Sequence, residues 1–248
     1  MKSLRTFFGL TLLLAGSPAF SQSDSTFQRA PNAEAAGLWI GEVTLREIGI
    51  PGTPDFAPTK QSADLRILLH VDQNGVVRLL KDVIVAARLA PSANEPPFPY
   101  KESIVTRPAV LASLPIVRDL YGSARGQRFS TVAYDFTDND ADPTDAALDL
   151  AGGLGQNHEC VGTLTLDRNH PTNPFLHKFH PDHANEGAKA YVIRRALTLQ
   201  FLDTIRNVSG TDQLRGSYEE KITGLHRATL TAKGTIRLTR VSVAARLN

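Results

Sequence analysis

Four of the seven histidines in this 248-residue chain fall within fourteen residues: His170, His177, His180 and His183. Imidazole is the commonest protein ligand for borderline metals, and its charge switches near neutral pH. His177, His180 and His183 recur at intervals of three, a spacing that shares one face of a regular helix. Pro181 resists such a helix, so a loop would have to gather the three imidazoles, with Asp182 as a fourth ligand. The chemistry this set suits is a transition-metal site, zinc first, with copper or nickel as alternatives.

The spacing fits no established zinc motif. His-Glu-x-x-His is absent. His180-Pro-Asp182-His183 reproduces only the tail of the His-x-His-x-Asp-His pattern of metallo-β-lactamase-like hydrolases, with Lys178 where the earlier histidine should stand. A competing structural reading uses the same residues. Pro171, Pro174, Phe175, Phe179 and Pro181 would pack a long loop onto the fold, and the histidines would bond its unpaired backbone. A catalytic reading would add Asp182 or Glu159 as a base beside the metal.

Other candidates carry less. Asp138, Asp140, Asp142 and Asp149 stand at positions 1, 3, 5 and 12 of an EF-hand-like run. Pro143 occupies the glycine position, however, and Asp149 replaces the bidentate glutamate, so calcium is not expected. No Gly-x-Ser-x-Gly elbow and no glycine-rich phosphate loop appears. Cys160 is the only cysteine; it lies in an apolar run and reads as a small buried hydrophobe. His70 falls on the polar side of a strand and reads as solvated or locally bonded.

Residues 1–21 have the form of a cleaved export signal: Lys2 and Arg5, then an apolar run from Phe7 to Ala15, then Ala19-Phe20-Ser21. The expected location is therefore periplasmic or extracellular. Without Lys2 and Arg5 the chain carries 25 residues of each sign, which removes the case for a nucleic-acid partner. No second apolar span is present, so no membrane span is expected. Residues 22–36 read as a flexible lead-in and 37–248 as one β-rich domain.

Two-residue periodicity dominates that domain. Gly37–Arg46 reads as a first strand with Trp39, Val43 and Leu45 on one face. A Pro/Gly-rich loop from Ile50 to about Ser62 follows. Asp64–Val71, an Asp72–Gly75 turn and Val76–Val85 form the clearest hairpin, with Leu65, Ile67, Leu69 and Val71 inward. Val110–Tyr121 and a segment capped at Asp142 or Thr144 and running through Leu150 read as short helices. Gln127–Phe136, Cys160–Leu166 and Ala190–Thr204 read as strands. The chain ends as a meander: Gly216–Gly224, His226–Ala232, a Lys233-Gly234 turn, then Thr235–Ala244. The class expected is all-β, either an antiparallel barrel closed by its N- and C-terminal strands or a two-sheet sandwich with long loops.

Gly37-Leu-Trp39, together with Gly216–Leu225 and Gly234–Val241, resembles small calycin-like barrels, whose first strand carries Gly-x-Trp and whose closing strands carry a basic residue. The resemblance covers about fifty residues and implies that Arg237 or Arg240 stacks on Trp39. Asn173-Pro-Phe-Leu-His177-Lys-Phe-His180-Pro-Asp-His183 resembles a segment of exported bacterial β-rich proteins without an assigned activity; it implies a family and no mechanism. The leading functional expectation is a non-catalytic module that binds a protein or a small ligand, with a transition metal held by His177, His180, His183 and Asp182. The alternatives are a metal-dependent hydrolase using the same ligands and a carrier of small apolar ligands in a barrel lumen.

Overall fold

The computed structural model describes residues 33–88, 101–106, 126–136, 147–175 and 191–247. Residues 1–32, with the expected leader, lie outside them, as do the Val110–Tyr121 helix and the capping residues Asp142 and Thr144. The described residues form twelve strands and one 3-10 turn, Ala33–Ala35, and contain no α-helix. None of their helices is long and apolar enough to cross a membrane.

Eight strands close an antiparallel barrel. Around it run β11 (Thr211–Thr223), β12 (Leu230–Ser242), β1 (Gly37–Gly49), β2 (Ala57–Val71), β3 (Val77–Leu80), β7 (Ala147–Gly152), β8 (His158–Leu166) and β9 (Ile193–Phe201), and β9 pairs back onto β11. Closure settles the choice between barrel and sandwich, since every wall strand is paired on both sides. The seam between β1 and β12 joins residues nearly two hundred positions apart, from Leu38↔Ser242 to Gly49↔Thr231. A short strand β10 (Arg206–Val208) extends β11 beyond the point where β9 leaves it.

The alternation read from the sequence fills this barrel. Trp39, Val43, Ile67, Leu69, Val71, Leu197, Leu199 and Phe201 are all buried in one inner core. The Asp72–Gly75 turn forms as expected: Gly75 has φ 83°, and Asp72 Oδ1 accepts from the amides of Asn74 (2.8 Å) and Val76 (3.0 Å).

Several expectations about local structure change. The return strand of that hairpin breaks at Lys81. β3 stays in the wall, while β4 (Asp82–Arg88) turns outward to centre a small sheet with β5 (Lys101–Val105) and β6 (Gly126–Ser130). The wall position that β4 vacates is filled by β7, with Val77↔Leu150 and Leu79↔Leu148 in register. Residues Ala147–Leu150 are therefore strand and not the end of a helix, because pairing to an open strand edge outweighs a weak local preference. β2 begins at Ala57, so the first loop is shorter than expected, and β6 stops at Ser130.

Lys233-Gly234 is not a turn. β12 runs straight through it, and a Cβ at Gly234 would lie 2.2 Å from the Thr44 carbonyl oxygen. The glycine serves close strand approach beside the bulge at Leu45/Glu47 of β1.

A second core lies on the outer wall. Leu38, Leu68, Leu80 and Ala147 face outward and are covered by Val83 and Ile104 of the small sheet, with Ala244 and Leu247 packed alongside. His70 belongs to this outer layer. It is fully buried, and its Nε2 lies 3.1 Å from the Ala244 carbonyl oxygen, while Nδ1 has no partner among the described residues. Its parity was read correctly, but the wall it faces is covered and not solvated. Burial holds its pKa below the usual 6.5, against the opposing effect of that carbonyl.

Candidate functional site

The barrel has two unlike ends. At the first, Trp39 is buried on the floor. Its indole N–H donates to the Ala35 carbonyl oxygen (2.7 Å), and the Arg240 guanidinium lies 5.4 Å from its ring centroid. Arg240 also donates to the carbonyls of Glu34 (2.8 Å) and Ala36 (3.2 Å) and pairs with Asp212. Of the two arginines that the calycin resemblance offered, Arg240 is the one on Trp39, whereas Arg237 points outward and is exposed. This end is locked by one cation reaching three partners and a ring.

The opposite end is where β8 finishes and β9 begins, and the histidine segment leaves the barrel there. Asn173 is 3% exposed and ties the segment's two stems together. Its amide donates to the Asp167 carbonyl oxygen after β8 (2.9 Å) and to the Tyr191 carbonyl oxygen before β9 (2.8 Å). Its Oδ1 accepts from the Phe175 amide at 3.0 Å. Phe175 meets Tyr191 edge-on at 5.5 Å and packs toward Leu166, Ile193 and Ile222. An asparagine can satisfy donors and acceptor at once, and this one does so at the base of the excursion.

His170 is committed to that base. The Thr172 amide donates to its Nδ1 (3.3 Å) and Thr172 Oγ1 lies 2.9 Å from the same nitrogen, which places the proton on Nε2, 3.8 Å from Asp135 Oδ1. The lone pair a metal would need is already used. His177, His180, His183 and Asp182 lie outside the described residues. Among the described residues no group of three or more His, Cys, Asp or Glu side chains converges as a metal set. Glu159 stands at the start of β8, roughly 23 Å along the strand from Leu166 where the segment begins. Asp149 is engaged by Arg78 Nε at 2.9 Å; the rest of the acidic run, from Asp138 to Asp145, lies outside the described residues.

Beside the same end is a cluster that periodicity alone did not single out. Arg195 on β9 and Glu220 on β11 both point into the barrel; Arg195 makes a two-pronged pair with Glu220, through Nε and through Nη2 at 3.2 Å. Tyr218 donates to Glu220 Oε2 at 2.6 Å, and Arg195 Nη1 donates to the Ala133 carbonyl oxygen at 2.5 Å. Burial works against the guanidinium charge, but the Glu220 pair outweighs it and raises the Arg195 pKa. Burial likewise pushes the Tyr218 and Tyr134 hydroxyls well above the usual tyrosine range.

Ala133 belongs to the segment after β6, residues 131–136, which inserts Tyr134 and Phe136 into the inner core. Lys81 holds that insertion, donating to the Phe136 carbonyl oxygen (3.1 Å) and sitting 4.6 Å above its ring. Arg195 lies 5.4 Å from the ring of Tyr134, which is fully buried. The lumen is thus packed with the chain's own side chains. A signal for the cluster was present: Arg195 and Glu220 sit at inward positions flanked along their strands by the apolar residues Ile193 and Leu197 and by Tyr218 and Ile222.

Cys160 is fully buried in the inner core, and burial pushes its thiol up to about 12, which makes it a packing residue. Compared with protein-family models, the chain matches none, and no curated protein is detectably similar to it in sequence.

Proposed function

We propose that the protein is an exported, non-catalytic binding module. Its working element is the excursion between β8 and β9, and His177, His180, His183 and Asp182 hold a transition metal there, zinc by preference. What supports this reading is the Asn173 clasp, which joins Asp167 to Tyr191 at the base of the excursion. A clasp of that kind holds the two stems together, which lowers the ordering cost of gathering ligands from 177 to 183. His170 is occupied in the clasp itself, which leaves the other three histidines as the ligand set.

The test is metal content in untagged protein, followed by calorimetric titration of the metal-free protein with Zn²⁺. One equivalent in the native chain, lost in a His180→Ala/His183→Ala variant that keeps its melting temperature without metal, is the expected outcome. Sub-stoichiometric metal in the native chain, or equal metal in the variant, would rule the reading out.

A further inference from the structure

The barrel wall has a notch far from the histidine excursion. β9 and β11 pair from Arg194↔Thr223 to Phe201↔Gly216 and then part. Residues 202–205 cross away, and β10 takes the place beside β11 with Arg206 opposite Gln213. The resulting pocket has a volume of about 80 Å³ and is lined by Asp203, Thr204, Arg206, Val208, Gln213 and Arg215. That is room for several waters or for one tetrahedral oxyanion.

The charge around the notch is unbalanced. Arg215 points outward from β11 and stands directly opposite Arg237 of β12. Like charges on one rung destabilise a sheet unless something neutralises them. Glu42 flanks Arg237 on its other side, so on this rung Arg237 has an acid directly beside it and Arg215 does not. Among the described residues, Asp203 is the one carboxylate lining the pocket, and it is engaged with Arg206 at 3.7 Å. Two guanidiniums, an amide and a hydroxyl therefore converge on a space that holds one carboxylate already paired.

We propose that this notch binds a tetrahedral oxyanion, either a free phosphate or sulfate ion or the same group as a monoester on a larger molecule. Arg206 and Arg215 donate to its oxygens, and Gln213 and Thr204 complete its hydrogen bonds. Asp203 steers the Arg206 guanidinium toward the rim. Binding relieves the Arg215/Arg237 rung, which couples ligand and wall. This site is independent of the metal reading, since it uses none of the same residues.

The experiment is a titration of the full chain with sodium phosphate, sodium sulfate and phenyl phosphate, at an ionic strength held constant with chloride, followed by amide chemical shifts. Saturable shifts confined to residues 202–215 and their β12 neighbours are expected. They should weaken at least about tenfold in Arg206→Gln and in Arg215→Gln, and stay unchanged in Arg194→Gln, an exposed arginine elsewhere on β9. Arg215→Gln also removes the like-charge rung, so its anion-free melting temperature should rise by about 1–3 °C; this separates lost binding from lost folding. Tighter binding of phenyl phosphate than of phosphate identifies an ester as the ligand, and equal binding identifies the free ion. Shifts that chloride reproduces, or that persist in both arginine variants, overturn the proposal.

Discussion

Replacing Glu220 with leucine should be among the most damaging single changes in the barrel. The carboxylate accepts from Arg195 Nε, from Arg195 Nη2 and from the Tyr218 hydroxyl, and its side chain is only 3% exposed. Removing it leaves a guanidinium, itself 16% exposed, with the Ala133 carbonyl as its remaining hydrogen-bond partner among the described residues. Breaking a buried pair from one side costs about 3–5 kcal/mol, because the orphaned charge stays desolvated. For a domain of this size that corresponds to a fall in melting temperature of roughly 6–20 °C. Removing the whole cluster is a different perturbation. An Arg195→Met/Glu220→Leu/Tyr218→Phe triple variant leaves no buried charge and should lie within about 2 kcal/mol of the native chain. Urea melts of the native chain, the single variant and the triple variant measure both quantities, with the slopes checked for equality so that the free energies compare like with like. A single variant costing under 1 kcal/mol, or a triple variant worse than the single one, would refute the claim that the pair is desolvated and mutually dependent.

His70 predicts a pH effect with a definite sign. Its folded pKa is depressed by burial while the unfolded value is 6.5, so below that value the unfolded chain binds a proton that the folded chain excludes. Stability from this site is complete above pH 6.5 and declines as the pH falls toward the folded pKa; melting temperatures from pH 8 to 5 should show the decline, and His70→Gln should flatten it. An unchanged slope in that variant would assign the effect elsewhere. Asn173→Ala removes three hydrogen bonds at the base of the excursion and should cost about 1.5–4 kcal/mol, read by chemical denaturation. Asn173→Asp, which keeps the acceptor but sets a buried carboxylate against the Asp167 and Tyr191 carbonyl oxygens, should cost at least as much as alanine; an alanine variant as stable as the native chain contradicts the clasp.

Much of the inner barrel was legible because its information is local. Alternation placed Leu65, Ile67, Leu69 and Val71 inward and marked the Asp72–Gly75 turn, and the structure keeps both. What failed locally was decided at a distance. Nothing in Val76–Val85 says that the strand must break at Lys81, since the break exists to feed a sheet whose other strands lie up to residue 130. The strand character of Ala147–Leu150 follows from that same departure. His70 was placed on the correct face, but its burial depends on a contact 174 residues away. Gly234 looked like a turn residue because composition registers a glycine but not the Thr44 carbonyl pressed against it. The Arg195–Glu220 pair was visible as a double breach of inward alternation on β9 and β11, although their adjacency needed the registration of those strands. For the histidine excursion, the spacing of three suggested ligands; the structure contributes the anchoring of its stems.

The β1–β12 seam also governs the order in which the chain can acquire its fold. With β4, β5 and β6 set aside as an insertion, each remaining wall strand neighbours its predecessor in the chain, and the sole exception is the seam from Leu38↔Ser242 onward. A growing chain can form the hairpins early but cannot seal the cylinder until residues near 242 are available. Until then β1 and β11 each carry an unpaired edge, and Trp39 lacks the Arg240 that covers it. Closing so long a loop is slow relative to forming local hairpins. The last long strand therefore acts as a timer, delaying completion of the barrel until the rest of the chain is in place.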